Sequence, residues 1–191
     1  MLYTRKGDTG TTKIFNCDQR ISKSSQVSEA LGVLDELNSF IGWCKTRDSL
    51  QPVLSVPTGM KRPSVQPLST ILNEMQEALF IMQAEVAGAP KKIHKRHITS
   101  LENTINAIEK VLRPITGFTI VGGTELSAML DVARTITRRA ERQLVTVHEE
   151  GHEKISAGTL AYANRLSSLL FALARFVNHT AGISESAPSY R

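Results

Sequence analysis

Five segments of this chain repeat apolar residues at steps of three and four, a spacing that suits amphipathic helices and little else. The first runs from about residue 26 to 45, with Val27, Ala30, Leu31, Leu34, Leu37, Ile41 and Cys44 on one stripe and Ser24 or Ser25 placed to cap it. The second spans about 68–87 through Leu68, Ile71, Leu72, Met75, Leu79, Met82 and Val86, and Gly88, Ala89 and Pro90 stop it. The third covers about 97–112, with Leu101, Ile105, Ile108 and Leu112 inward and Pro114 closing it. The fourth, about 124–150, carries Leu126, Met129, Ala133, Ile136, Ala140, Leu144 and Val147; Thr124 follows Gly122-Gly123 as its cap. The fifth, about 154–180, carries Leu160, Ala163, Leu166, Leu170, Leu173, Ala174 and Val177. It is apolar over much of its circumference, so it belongs at the centre of the fold or at a subunit contact.

No strand pattern accompanies these stripes. Helices with short connections predict an all-α, five-helix antiparallel bundle. With 191 residues the chain reads as a single domain, 1–191, large enough for a proper core. It divides into an extended N-terminal loop (1–25), the helical bundle (26–181) and a tail (182–191) that reads as disordered. The stretch from Pro52 to Pro67 is an unusually long, proline-rich connection. The net charge of +5 suits an anionic ligand but is too modest to require nucleic acid. Cys17 and Cys44 are the only cysteines, which excludes a disulfide framework and a zinc-binding spacing. The N-terminus lacks the apolar core of a secretory signal, and no apolar run is long enough to span a membrane, so the cytoplasm, or an organelle lumen after import, is the expected compartment.

The fourth helix holds four arginines within residues 134–142: Arg134, Arg138, Arg139 and Arg142. At about 100° per residue, Arg134, Arg138, Glu141 and Arg142 share a side away from the apolar stripe. Arg134–Arg138 and Arg138–Arg142 are i,i+4 pairs that repel unless something anionic intervenes. Two readings fit: a solvated basic face, or a site for carboxylate or phosphate, which the guanidinium fork holds by two bonds at once. Residues 4–13, with Thr4, Arg5, Lys6, Gly7, Gly10, Thr11, Thr12 and Lys13, have the glycines, hydroxyls and cations that suit a polyphosphate. They equally fit a plain surface turn, and they do not form a P-loop. Asp35 and Asn38 flank the first stripe; Asp35 is either solvated or the partner of an arginine such as Arg134. Asn164 sits in the most apolar helix, where a buried amide satisfies backbone or reads a ligand. His148 and His152 are i,i+4, but the residues between them fit a frayed helix end better than a metal site. The basic run from Lys91 to His97 reads as a solvated loop. No nucleophile–base pair can be assembled.

Together the pieces resemble the PduO-type ATP:cob(I)alamin (corrinoid) adenosyltransferases. The match is carried by T-x-x-G-D-x-G-x-T from Thr4, E-A-x-G-x-x-D-E-L-N from Glu29, G-G-T from Gly122, R-x-x-x-R-R-A-E-R from Arg134 and N-R-L-S from Asn164, in the family's order. The resemblance implies a homotrimer with ATP bound between neighbouring subunits. It also implies transfer of the 5′-deoxyadenosyl group of ATP to the cobalt of cob(I)alamin, with release of triphosphate and help from Mg2+. It places ATP against Thr4, Arg5, Lys6, Gly7, Thr11, Thr12, Lys23, Arg138, Arg139, Glu141, Arg142 and Asn164. It matches Asp35 and Arg134 to a salt bridge near the corrinoid and the subunit contact, and Phe118 to an aromatic that displaces the lower ligand of cobalamin. Hand-off of the product to an adenosylcobalamin-dependent enzyme is a further expectation. An ATP-binding sensor and a structural helical oligomer are the alternatives to an enzyme.

Overall fold

The computed structural model describes residues 2–15, 19–47, 53–56, 64–151 and 154–190. Five helices form: α1 (Gln26–Thr46), α2 (Leu68–Val86), α3 (Lys95–Glu109), α4 (Glu125–Glu149) and α5 (Ala157–Thr180). Their apolar stripes meet in one core that includes Leu34, Leu37, Ile41, Leu72, Leu79, Met82, Leu130, Leu144, Leu166 and Leu170. α4 packs on α1 and α5, α1 also packs on α2, and α5 also packs on α3. The five-helix bundle expected from the stripes is the architecture found. α5, the most apolar segment, has residues on most of its circumference buried, from Tyr162 to Val177.

Local chemistry sets the helix ends. Ser25 and Thr124 cap α1 and α4, their hydroxyls accepting the N–H groups of Ser28 and Ser127. α5 begins at Ala157, later than the apolar pattern suggests, because Ser156 caps it and Glu85 of α2 reaches over its first turn. The buried Glu85 carboxylate accepts from the Ser156 N–H (2.8 Å), the Ser156 hydroxyl (3.2 Å) and the Thr159 hydroxyl. A negative group there satisfies orphan donors and opposes the positive end of the helix dipole.

Two expectations are overturned. Strands do occur, as two small antiparallel sheets. β1 (Thr11–Thr12) pairs with β2 (Ile21–Ser22), and β3 (Val53–Val56) pairs with β4 (Ser64–Pro67). Strands of two residues are too short to display an alternation, and prolines obscure the longer pair. Pro52, Pro57, Gly59 and Pro63 of that connection lie outside the described residues, as do Cys17 and His152. The second correction concerns the tail. Residues after Gly182 fold back on the bundle: Ile183 N–H donates to the Asn178 carbonyl (2.9 Å), and the Ser186 carbonyl accepts from Ile120 N–H (2.9 Å). Glu185 forms an ion pair with the buried Arg175. Its polar composition suggested disorder because its partners lie on distant segments.

Candidate active site

The N-terminal loop is a hairpin held by β1 and β2. Turn bonds from Asp8 N–H to the Arg5 carbonyl and from Gly10 N–H to the Gly7 carbonyl curl residues 5–10, with Arg5 at φ +59° and Gly10 at φ +78°. Lys23 N–H then bonds the Gly10 carbonyl (2.9 Å). This brings Lys23 against Gly7: a Cβ added at Gly7 would stand 2.9 Å from the Lys23 Nζ. Glycine leaves room for the ammonium to lie over the backbone. Arg20, which the sequence reading passed over, locks the curl. Its guanidinium donates to the Lys6 carbonyl, the Thr11 carbonyl (2.7 Å) and the Thr11 hydroxyl (2.7 Å). Thr4, Lys6, Gly7, Thr11, Thr12 and Lys23 are thus gathered on one small scaffold.

The arginines of α4 separate by partner. Arg134 bonds Asp131 on its own helix (3.1 Å) and not Asp35, which is exposed and has no hydrogen bond or ion pair among the described residues. Arg139 pairs with Glu36 of α1. Among the described residues the exposed Arg138 side chain has no partner, and the exposed Arg142 donates only to the Arg138 carbonyl (3.1 Å). Glu141, between them, accepts from the Asn164 amide of α5 (2.8 Å). Asn164 is exposed rather than buried, so the expectation of a buried amide is corrected: its position falls on the narrow solvent-facing edge of α5. Arg138, Glu141, Arg142 and Asn164 therefore form one surface, with two guanidinium groups that no carboxylate among the described residues neutralises. No hydrogen bond or ion pair among the described residues joins Thr4, Arg5, Lys6, Thr11, Thr12 or Lys23 to α4.

Phe118 lies elsewhere, on the linker from α3 to α4, and is 80% exposed. The linker and the folded-back tail border an open cavity of about 810 Å³ that includes Phe118, Arg175, His179 and Tyr190 in its lining. Ile120 and Val121 are also exposed there. The ion pair with Arg175 holds the Glu185 carboxyl below its ordinary value, chiefly through the hydrogen bond from that guanidinium. An exposed apolar linker beside an open cavity suits a large, flat, partly apolar ligand.

The model of the cobalamin adenosyltransferase family matches residues 2–177. The chain belongs to that family. It is 35% identical over 190 residues to the corrinoid adenosyltransferase of Bacillus subtilis (strain 168), covering 96% of this chain and 90% of that protein. It is 36% identical over 187 residues to the corrinoid adenosyltransferase PduO of Citrobacter freundii, covering 94% of this chain but about half, 50%, of that longer protein. Among solved structures it is similar to a variant of the PduO-type ATP:corrinoid adenosyltransferase from Lactobacillus reuteri complexed with cobalamin and ATP. The TM-score there is 0.83 at 33% identity, over 99% of this chain and 97% of that one. The sequence-based expectation of an ATP:corrinoid adenosyltransferase agrees with the family, the relatives and the fold.

Proposed function

We propose that the protein transfers the 5′-deoxyadenosyl group of ATP to the cobalt of cob(I)alamin, with ATP held between two copies of the chain. The observation that carries this is the unneutralised pair Arg138 and Arg142 beside the Glu141–Asn164 bond. Cobalt(I) attacks the 5′ carbon with its own electron pair, the bond from that carbon to oxygen breaks, and the electrons leave on triphosphate. The attacking metal is already a strong nucleophile, so the site requires no base. Its work is alignment and neutralisation of the departing charge. Arg138 and Arg142 are assigned to the triphosphate, with Arg139 once released from Glu36. Glu141 and Asn164 orient the nucleoside. Thr4, Arg5, Lys6, Gly7, Thr11, Thr12 and Lys23 form the opposing wall.

Among the described residues no hydrogen bond or ion pair joins Thr4, Arg5, Lys6, Thr11, Thr12 or Lys23 to α4, which favours a wall supplied by a neighbouring copy in a homotrimer. In that assembly Asp35 of one copy, without a partner among the described residues, meets Arg134 of the next. Mg2+ is assigned to the triphosphate rather than to a protein ligand set, and Phe118 to the corrinoid face, where an apolar ring excludes water and a lower nitrogen ligand. A cytoplasmic location, a single adenosyltransferase domain over residues 1–191 and hand-off of product to a corrinoid-dependent enzyme belong to the same proposal.

The test is an anaerobic absorbance assay with ATP, Mg2+ and chemically reduced cobalamin. Loss of the cob(I)alamin band with growth of the adenosylcobalamin spectrum, dependent on ATP, is the expected result. ATP binding without conversion would overturn the reaction. Mixing subunits of a Lys6→Ala variant with those of an Arg138→Ala variant, each of lowered activity, tests the shared site. Activity recovered after subunit exchange supports it, and none recovered in mixed trimers refutes it.

A further inference from the structure

The G-G-T motif has no role in the reaction as assigned above, yet its turn is held by side chains of α4 and α5. Gly122 and Gly123 adopt φ +112° and +113°. Asn178, near the end of α5, sits directly over them. Its amide Nδ2 donates to the Gly122 carbonyl (2.7 Å), and its Oδ1 accepts from the Thr124 N–H (3.1 Å). A Cβ on Gly123 would come within 2.4 Å of that Oδ1, so the glycine is required both by its φ and by the approach of Asn178. The Ser127 hydroxyl adds a second bond to the Gly122 carbonyl (3.2 Å).

Three residues earlier on the same helix, Arg175 holds the other end of the linker. Its Nη2 donates to the Arg113 carbonyl (2.9 Å) and to Glu185 Oε2 (2.9 Å), and its Nε donates to Glu185 Oε1. Arg175 is buried, so this charge is taken out of water only because both oxygens of a carboxylate and a backbone carbonyl receive it. Residues i and i+3 of a helix lie one above the other, so a single turn of α5 grips both ends of the 113–122 linker. Between the grips Phe118 stands 80% exposed.

We propose that Arg175 and Asn178 are positioning residues for the corrinoid: they fix the two ends of the linker and thereby the place of Phe118. The proposal rests on the corrinoid-facing role given to Phe118 above. A linker free at either end would have to be ordered by the substrate itself, and that entropy cost would appear in corrinoid affinity. ATP, assigned to the α4 surface and the hairpin, would not be affected.

The experiment compares steady-state kinetics of Asn178→Ala, Asn178→Asp, Phe118→Ala and the double variant Asn178→Ala/Phe118→Ala. Asn178→Asp retains the acceptor for the N–H of Thr124, the residue that caps α4, but loses the bond to the Gly122 carbonyl. Both Asn178 variants are expected to raise KM for cob(I)alamin by about tenfold, the equivalent of about 1.4 kcal/mol, with KM for ATP within about twofold of wild type. The effect of Asn178→Ala should vanish in the Phe118→Ala background, because the two act on one element. Equal changes toward both substrates, a loss of melting temperature alone, or strict additivity would overturn the proposal. If Phe118→Ala disturbs the corrinoid step and neither Asn178 variant does, the grip is refuted and the role of Phe118 stands. If Phe118→Ala is silent while both Asn178 variants raise KM for cob(I)alamin, the assignment to Phe118 fails and the grip on the linker is upheld.

Discussion

Arg138→Ala separates stability from function because the two should move in opposite directions. Arg138 is exposed, its side chain has no partner among the described residues, and it stands at i,i+4 from both Arg134 and Arg142. Each such like-charge pair costs a helix about 0.2–0.5 kcal/mol. Arg134 is already bonded to Asp131, so the pair with Arg142 is the less relieved of the two. Removing Arg138 should therefore stabilise the protein by roughly 0.2–0.7 kcal/mol. For a domain of this size that is a rise of about 0.4–3 °C in Tm. Toward ATP the change is the reverse. A charge-assisted bond from a guanidinium to phosphate contributes about 1.5–3 kcal/mol, so kcat/KM for ATP should fall roughly 10- to 150-fold. The assays are thermal unfolding without nucleotide and adenosylation kinetics across ATP concentration. A clear loss of stability without ATP would show that Arg138 holds the fold together, and wild-type kinetics would show that the phosphates lie elsewhere.

Glu85→Ala leaves the Ser156 N–H and the Thr159 hydroxyl without their acceptor, which should cost about 2–4 kcal/mol and lower Tm by roughly 5–15 °C. Glu85→Gln, which retains one acceptor, should recover part of that, and an unchanged Tm in the alanine variant would contradict the capping role. Docking of the tail should be acid-sensitive. The Glu185 carboxyl is held below 4.5 by Arg175, so its contribution is complete above that value and is lost as pH falls through the lowered pKa. Hydrogen exchange over residues 182–190 should accelerate in that range, Glu185→Gln should show fast exchange at neutral pH as well, and pH-independent protection would refute the coupling. Burial pushes the Cys44 thiol up to about 11, so peptide mapping after alkylation at pH 8 should find it unmodified until the protein is unfolded; rapid native labelling would contradict its place in the core.

Much of the architecture was legible because helix period, caps and stops are local signals. Val27 to Cys44 and Leu126 to Val147 show their buried faces in spacing alone, and Ser25 and Thr124 are caps by residue type and position. The short strands and the folded tail were not legible, since their bonds join Thr11 to Ser22, Ile120 to Ser186 and Arg175 to Glu185. The amides show the same limit. Asn164 and Asn178 look alike as polar residues in an apolar helix, yet one is exposed beside Glu141 and the other grips Gly122.

By itself the sequence determined that there would be a helical bundle with a basic face on its fourth helix and a glycine- and threonine-rich loop at its start. The tertiary structure decided which members of those sets are available. Of the four arginines, Asp131 takes Arg134 and Glu36 takes Arg139, which leaves Arg138 and Arg142 without a carboxylate among the described residues. A helical wheel gives each side chain its direction, but whether a guanidinium is neutralised depends on a carboxylate within bonding distance. For Arg139 that carboxylate is on another helix, placed by the packing of α1 on α4.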